Sequence, residues 1–293
     1  MPRVYFAKFN INEKIYSVYE QKESLTELLN KIFRDINSDV VLNDKDGNYK
    51  FISLDKNPDT LVVNGRLVVY APGTHVSYDP NKDDVVERAD DKMATYITFS
   101  FDIRREVIGF VPKRDFGRKQ FIEKFKNLIE ACTNVGEVEI FIESDLEELN
   151  AKLQYFKHVK EVSVDLIPPN NDKKEFDSLF SVNSEELKET NGTKFGMRIV
   201  GSAKQGINLG AKYLKRLVRG VSLGYGKILV LGKNTSGEDF SISSDDDAPF
   251  TRPISEKAKD SIPTIAEKTR AGAAQLLALK AKVRAIESEE RKE

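Results

Sequence analysis

The chain has 293 residues, 40% hydrophobic and 32% charged, with a net charge of -1; that supplies core for one large or two ordinary domains, and the overall charge points to no partner. A single cysteine, Cys132, excludes an internal disulfide and fits a reducing compartment. Residues 1–10 lack the apolar core of a signal peptide and no run approaches the roughly 18 apolar residues of a membrane span, so a cytoplasmic protein is expected.

Residues 1–92 read as an N-terminal α+β region with two hairpins. A strand is predicted at residues 4–9. Ser24 and Glu27 have capping-box spacing ahead of the helical pattern Leu25, Leu28, Leu29, Ile32, Phe33, Ile36. Asp46-Gly47 and Asn64-Gly65 each lie between strand-like runs and tolerate the positive φ of tight hairpins. Residues 72–92, rich in Pro, Gly and Asp, read as a mobile acidic connection.

Residues 93–170 read as a βαβαβ-type sheet domain, with strands at 96–101, 106–111, 137–143 and 161–167 and helices at 118–132 and 145–156. The first of these helices carries Phe121, Ile122, Phe125, Leu128, Ile129 and Cys132 at 3.6-residue spacing, and Ser144 with Glu147 suggests a capping box for the second. Residues 171–255 form a basic α+β region. It has a helix candidate at 174–180, a strand at 195–200, a basic helix at 208–219, and a hairpin with arms 227–231 and 239–243. Residues 256–293 are predicted to hold one long C-terminal helix, starting near Ser261. The fold class is therefore α+β, with mixed sheets, packed helices and a long terminal helix.

Charge is segregated along the chain. Between Glu189 and Glu238 there is no acid, and Lys194, Arg198, Lys204, Lys212, Lys215, Arg216, Arg219, Lys227 and Lys233 give a local +9 against -10 for the rest. Lys212, Lys215, Arg216 and Arg219 recur at i, i+3, i+4 and i+7, on one helical face, and Ile207, Ala211, Leu214, Val218 and Val221 form the opposite stripe. Clustered like charges repel, and a polyanion relieves that repulsion; such contacts give affinity without base specificity. Tyr213 and Tyr225 are candidates to stack on bases or to pack. The alternative is an ordinary solvated face, balanced by acids such as Asp245, Asp246 and Asp247. A second basic patch, Arg104, Arg105, Lys113, Arg114, Arg118 and Lys119, surrounds a helix start at Gly117 that could receive a phosphate.

In the terminal helix, Ile265, Thr269, Gly272, Leu276, Leu279, Val283 and Ile286 alternate spacings of four and three, an a/d seam. Leu276, Leu279, Val283 and Ile286 are its properly apolar half and the candidate dimerisation residues; docking on the chain's own body is the competing expectation. A homodimer would double the basic surface.

Catalytic and metal signatures are weak. His75 and His158 have no second His or Cys at ligand spacing, so neither a zinc site nor a thiol nucleophile is expected. Residues 220–227 fail the phosphate-loop pattern: Val221 stands at its first glycine and Ile228 after the lysine. Carboxylates at Glu137, Glu139, Glu143 and Asp145, or Asp165 with Glu175, keep a metal-dependent nuclease as the enzymatic alternative. No catalytic residue, metal or cofactor is assigned.

The order of elements is similar to RexA, the soluble component of a phage exclusion system. The opening strand Val4-Tyr-Phe-Ala-Lys8 carries the resemblance, with Val107-Ile-Gly-Phe-Val111, Phe116-Gly117 before a helix, and the late hairpin at 228–242 followed by Pro249 and a terminal helix. The resemblance implies a non-enzymatic homodimer that binds DNA with little sequence preference, senses infection, and signals to a membrane-channel effector. A protein-interaction adaptor docking through the terminal helix is the third reading.

Overall fold

The computed structural model describes residues 1–170 and 184–290, so the helix expected at 174–180 lies outside the described residues. In chain order the elements are β1 (Arg3–Ile11), α1 (Ile15–Tyr19), α2 (Leu25–Asp35), β2 (Leu42–Asp44), β3 (Gly47–Asn57), β4 (Val62–Asp79), β5 (Asp84–Asp102), β6 (Val107–Phe110), α3 (Arg118–Thr133), β7 (Val138–Ile142), α4 (Leu146–Leu153), β8 (Phe156–Leu166), α5 (Ser184–Glu189), β9 (Phe195–Val200), α6 (Lys212–Gly220), β10 (Gly226–Asn234), β11 (Asp239–Ser243), α7 (Ser244–Asp247), β12 (Thr251–Pro253) and α8 (Ile262–Glu290). The fold is α+β, built on two sheets in which every pairing among the described residues is antiparallel rather than mixed.

The larger sheet runs β12-β1-β6-β5-β4-β3-β2, and β7 also pairs with β1. β1 is apolar at six of its nine positions because both its faces are covered. Ala7, Phe9 and Ile11 enter one core with α2 and α3, where Phe51, Phe99, Phe101, Phe110, Phe121 and Phe125 meet edge to face or stacked. Val4 and Phe6 point the other way, into a second core completed by Ile265, Ala273 and Leu276 of α8. The period-2 alternation of one strand thus builds a three-layer arrangement.

The smaller sheet runs β11-β10-β8-β9. Val162, Val164, Ile228 and Val230 face Leu149 and Leu153 of α4 and Leu214, Leu217 and Val218 of α6. Its other face is open and carries cross-strand ion pairs, Arg198–Glu161 at 2.6 Å and Lys227–Asp165 at 3.5 Å.

α8 closes both cores. Gly272 lets it sit directly on β1, for a Cβ there would stand 2.2 Å from the Phe6 ring. Val283 reaches the core of the smaller sheet. Between them Lys280, fully buried, pairs with Glu143 at 2.6 Å; burial pushes its ammonium down from the ordinary lysine value and Glu143 opposes that shift. The a/d seam is occupied within the chain in part: Leu276 and Val283 are buried, Leu279 is exposed, and the Ile286 side chain lies outside the described set. Docking on the body accounts for Leu276 and Val283.

Four local expectations change. Asn64-Gly65 is not a turn; Asn64 is paired on both sides within β4, and the chain reverses at residues 58–61, where Asn57 Oδ1 accepts the Thr60 N–H at 3.1 Å. Residues 72–92 are not a linker, because β4 and β5 run on as a two-stranded ribbon from Gly73↔Asp90 to Asp79↔Asp84. The boundary expected between residues 92 and 93 consequently falls inside one strand, and residues 93–170 contribute strands to both sheets. Asp145, not Ser144, caps α4, accepting from Glu147 N–H at 3.0 Å and Glu148 N–H at 3.1 Å.

Candidate nucleic-acid interface

A tight loop leads from β9 into α6 across the end of β8. Gly201 N–H donates to the Lys160 carbonyl at 2.8 Å and Ile207 N–H to the Val159 carbonyl at 2.9 Å. Gly206, at φ 67°, fits against His158 where a Cβ would stand 2.9 Å from the ring. Asn208 then turns the chain, its Oδ1 accepting from Gly210 N–H at 2.9 Å and its carbonyl from Ala211 N–H at 3.1 Å. The helix begins at Lys212, four residues later than its pattern suggests, so Ile207 and Ala211 precede it and Leu217 joins Leu214 and Val218 on the buried side.

The four basic residues of this helix do not share one fate. Lys212 and Lys215 are exposed and have no acidic partner among the described residues. Arg216 is half-buried, its guanidinium 5.6 Å from the centre of the Tyr213 ring. Arg219 is half-buried and, with Lys215, lines a cleft between α6 and α4. Lys204, on the preceding loop, is exposed and likewise has no acidic partner among the described residues. Lys227 is not part of this surface. It points to the open face of the smaller sheet, because the neighbouring Ile228 faces α6 and a strand alternates, and there it pairs with Asp165.

Neither tyrosine is a free stacking platform. Tyr213 donates its hydroxyl to Met197 Sδ at 3.2 Å and burial raises its pKa. Tyr225 is buried and accepts from Arg284 Nη2 at 3.0 Å.

The carboxylates expected to balance the basic helix are engaged elsewhere: that of Asp245 accepts from the Ser244 hydroxyl at 3.1 Å and that of Asp247 from Ser243 N–H at 2.7 Å. Asp246 pairs with Arg118 at 3.3 Å and Lys119 at 2.9 Å, and the Asp245 carbonyl accepts from Arg118 Nη1 at 3.0 Å. The Asp247 carbonyl accepts from Lys152. Lys113 pairs with Asp260 at 2.8 Å and lies 3.6 Å from the Tyr96 ring centre; Arg105 pairs with Asp102 at 2.6 Å; Arg104 donates to the Asp59 carbonyl at 3.2 Å. Of the second patch Arg104 and Arg114 are exposed without an acidic partner among the described residues. At the start of α3, beside Gly117, a carboxylate of the chain itself occupies the cations that were candidates for a phosphate.

The carboxylates considered for a metal are dispersed. Glu143 is spent on Lys280, Glu139 pairs with Lys126 at 3.1 Å, Asp145 caps α4 and Asp165 holds Lys227. Glu175 lies outside the described residues. Among the described residues no group of three or more His, Cys, Asp or Glu side chains is placed to hold a metal ion, and no helix is long and apolar enough to cross a membrane.

Sequence reasoning missed the amides around the cleft, Asn150, Gln154, Gln205 and Asn208, which come from two separate segments. Polar amides spaced without period carry no signal until the fold gathers them.

Residues 3–269 match the model of a family described as a domain of unknown function, DUF4747. No curated protein matches the chain.

Proposed function

The chain belongs to the DUF4747 family, and we propose that it binds nucleic acid, most directly DNA, through the phosphates and with little sequence preference. Lys204, Lys212 and Lys215 are the contacts, Arg216 and Arg219 adding positive potential beside them. One observation carries this reading: these three lysines face solvent with no acidic partner among the described residues, whereas the Asp246 carboxylate is engaged by Arg118 and Lys119. Unpaired lysines held on a rigid helix and a tight loop raise the local potential and release counterions when phosphates replace solvent.

The test is DNA binding measured across a salt series. Replacing Lys204, Lys212 and Lys215 by Glu is expected to flatten the slope of log affinity against log salt by about 2 to 3 units, uniformly over DNA sequences. Parent-like binding by that variant would end the proposal. The reading is non-enzymatic, and cleavage of labelled DNA or RNA with magnesium or manganese would overturn that part of it. The sensor role in phage exclusion, which rests on the RexA resemblance, has its own test: deleting the gene from its host should raise the plating efficiency of an excluded phage, and an unchanged efficiency across a phage panel counts against it.

A further inference from the structure

The cleft beside the basic helix has the make-up of a site for a single nucleotide. Its volume is about 720 Å³, within the range of small-molecule sites. Its floor is apolar, with Leu153, Val159, Val162, Leu214, Val218 and Ile228 supplied by α4, the two central strands and α6. Four cationic or titratable basic side chains line it, Lys157, His158, Lys215 and Arg219, together with four primary amides, Asn150, Gln154, Gln205 and Asn208. Among the described residues no Asp or Glu lines it, in a chain where 47 of 293 residues are Asp or Glu.

Each part matches one part of a nucleotide. A planar base is apolar on its faces and fits a floor of aliphatic side chains. Its edge carries adjacent donors and acceptors, and a primary amide offers one of each, which is how Asn and Gln read adenine. The phosphate is an anion and goes to the cations. An acid-free lining matters because a single carboxylate would repel that phosphate at close range.

We propose that this cleft binds one nucleotide, its base over the Leu153–Val218 floor within reach of the amides and its phosphate at Lys215 and Arg219. The proposal rests on the DNA-binding reading in one respect: Lys215 lies both in the cleft and on the proposed DNA surface, so a strand held there could deliver an unstacked nucleotide. A free nucleotide has the same chemistry, and the test separates the two sources.

Full-length protein is titrated calorimetrically with AMP, GMP, CMP and UMP, and by fluorescence with a single-stranded oligonucleotide carrying one 2-aminopurine. The same titrations are run on Asn150→Trp and Gln154→Trp. Both positions are exposed on α4 and just after it, so each indole can fill the mouth without disturbing the core or any lysine. Heat from a mononucleotide with a flat oligonucleotide signal identifies a free-nucleotide site. A rise in 2-aminopurine fluorescence, the sign of unstacking, identifies a nucleotide taken from a strand. In either case the tryptophan variants should weaken that signal at least about tenfold while salt-dependent retention of duplex DNA stays at the parent level. Absence of both signals in the parent overturns the cleft proposal while leaving the surface reading intact if duplex DNA still binds. A signal unchanged by both tryptophans overturns it as well. Nucleotide binding without any duplex binding would instead keep the cleft and remove the surface.

Discussion

Arg118 and Lys119 open one helix, Lys212 and Lys215 open another, and the fold treats the two pairs in opposite ways. At α3, Asp246 arrives from more than a hundred residues away and binds both cations. At α6, no acid among the described residues pairs with Lys212 or Lys215, although Asp245, Asp246 and Asp247 follow in the chain and were the natural candidates. Net charge and linear clustering are the same kind of signal in both stretches. What differs is which carboxylate the topology brings within reach. β11 leads into α7, which sets the Asp246 carboxylate at the start of α3, so that patch is the one it neutralises. A basic run therefore indicates a polyanion only after its three-dimensional neighbours are known.

The limit of neutralisation is Lys280, which meets Glu143 with both groups buried. Truncating it by Lys280→Met leaves a buried carboxylate without a counter-charge, and Glu143 Oε2 already has no hydrogen-bond partner. Chemical denaturation should report a loss of about 3 to 5 kcal/mol. Because α8 spans both cores at this point, the loss should appear in one cooperative transition. A variant of parent stability would mean that the pair is not what joins α8 to the sheets.

The next effect in size belongs to the unneutralised helix. Lys212→Glu with Lys215→Glu should lower DNA affinity about 10- to 100-fold at low salt, with little change in stability, since neither lysine has a partner to lose. The matched variant at the other helix, Arg118→Glu with Lys119→Glu, should tip the balance the other way. Opposing Asp246 costs at most about 1 kcal/mol at this partly solvated site, and DNA affinity should fall by less than it does for the α6 pair. Equal losses of affinity from both pairs would erase the distinction between the patches.

Much of the fold is legible in the residues. The 3.6-residue spacing of Phe121, Phe125, Leu128 and Ile129 marks α3, the spaced arms of β10 and β11 mark their hairpin, and Ser24 caps α2 as its spacing suggests, accepting from Glu27 N–H at 3.4 Å. What failed has physical causes. The ribbon at 73–90 is polar on much of both faces, so it lacks the alternation that a half-buried strand shows. Asn64-Gly65 is locally suited to a turn, but partners on both sides hold it in the sheet. The seam of α8 is a stripe that fits a second helix or a sheet equally well; Gly272 and Thr269 are small because a sheet lies beneath them. The candidate site was half legible. The spacing of Lys212 and Lys215 was visible, but the pairing of Lys227 with Asp165 and the gathering of amides depend on strand alternation and on contacts between distant segments.

The smallest expected effect is also the sharpest test of the comparison. Asp246→Asn removes the shared carboxylate without reversing any charge. Arg118 would remain held, since it keeps the Asp245 carbonyl at 3.0 Å and the Tyr5 ring at 4.8 Å. Lys119, already largely exposed, would lose its ion pair and keep only the longer-range attraction of Asp245. One released cation is worth one phosphate contact at most, so affinity for DNA should rise about two- to threefold at low salt and the salt slope steepen by no more than about 0.9. Asp165→Asn is the control, because it frees Lys227 on the open face of the smaller sheet, away from α6. If the strand runs across α6 towards α3, only the Asp246 variant gains. A gain from Asp165→Asn alone would move the path of the strand to the open face, and the unpaired lysines of α6 would then mark its edge rather than its centre.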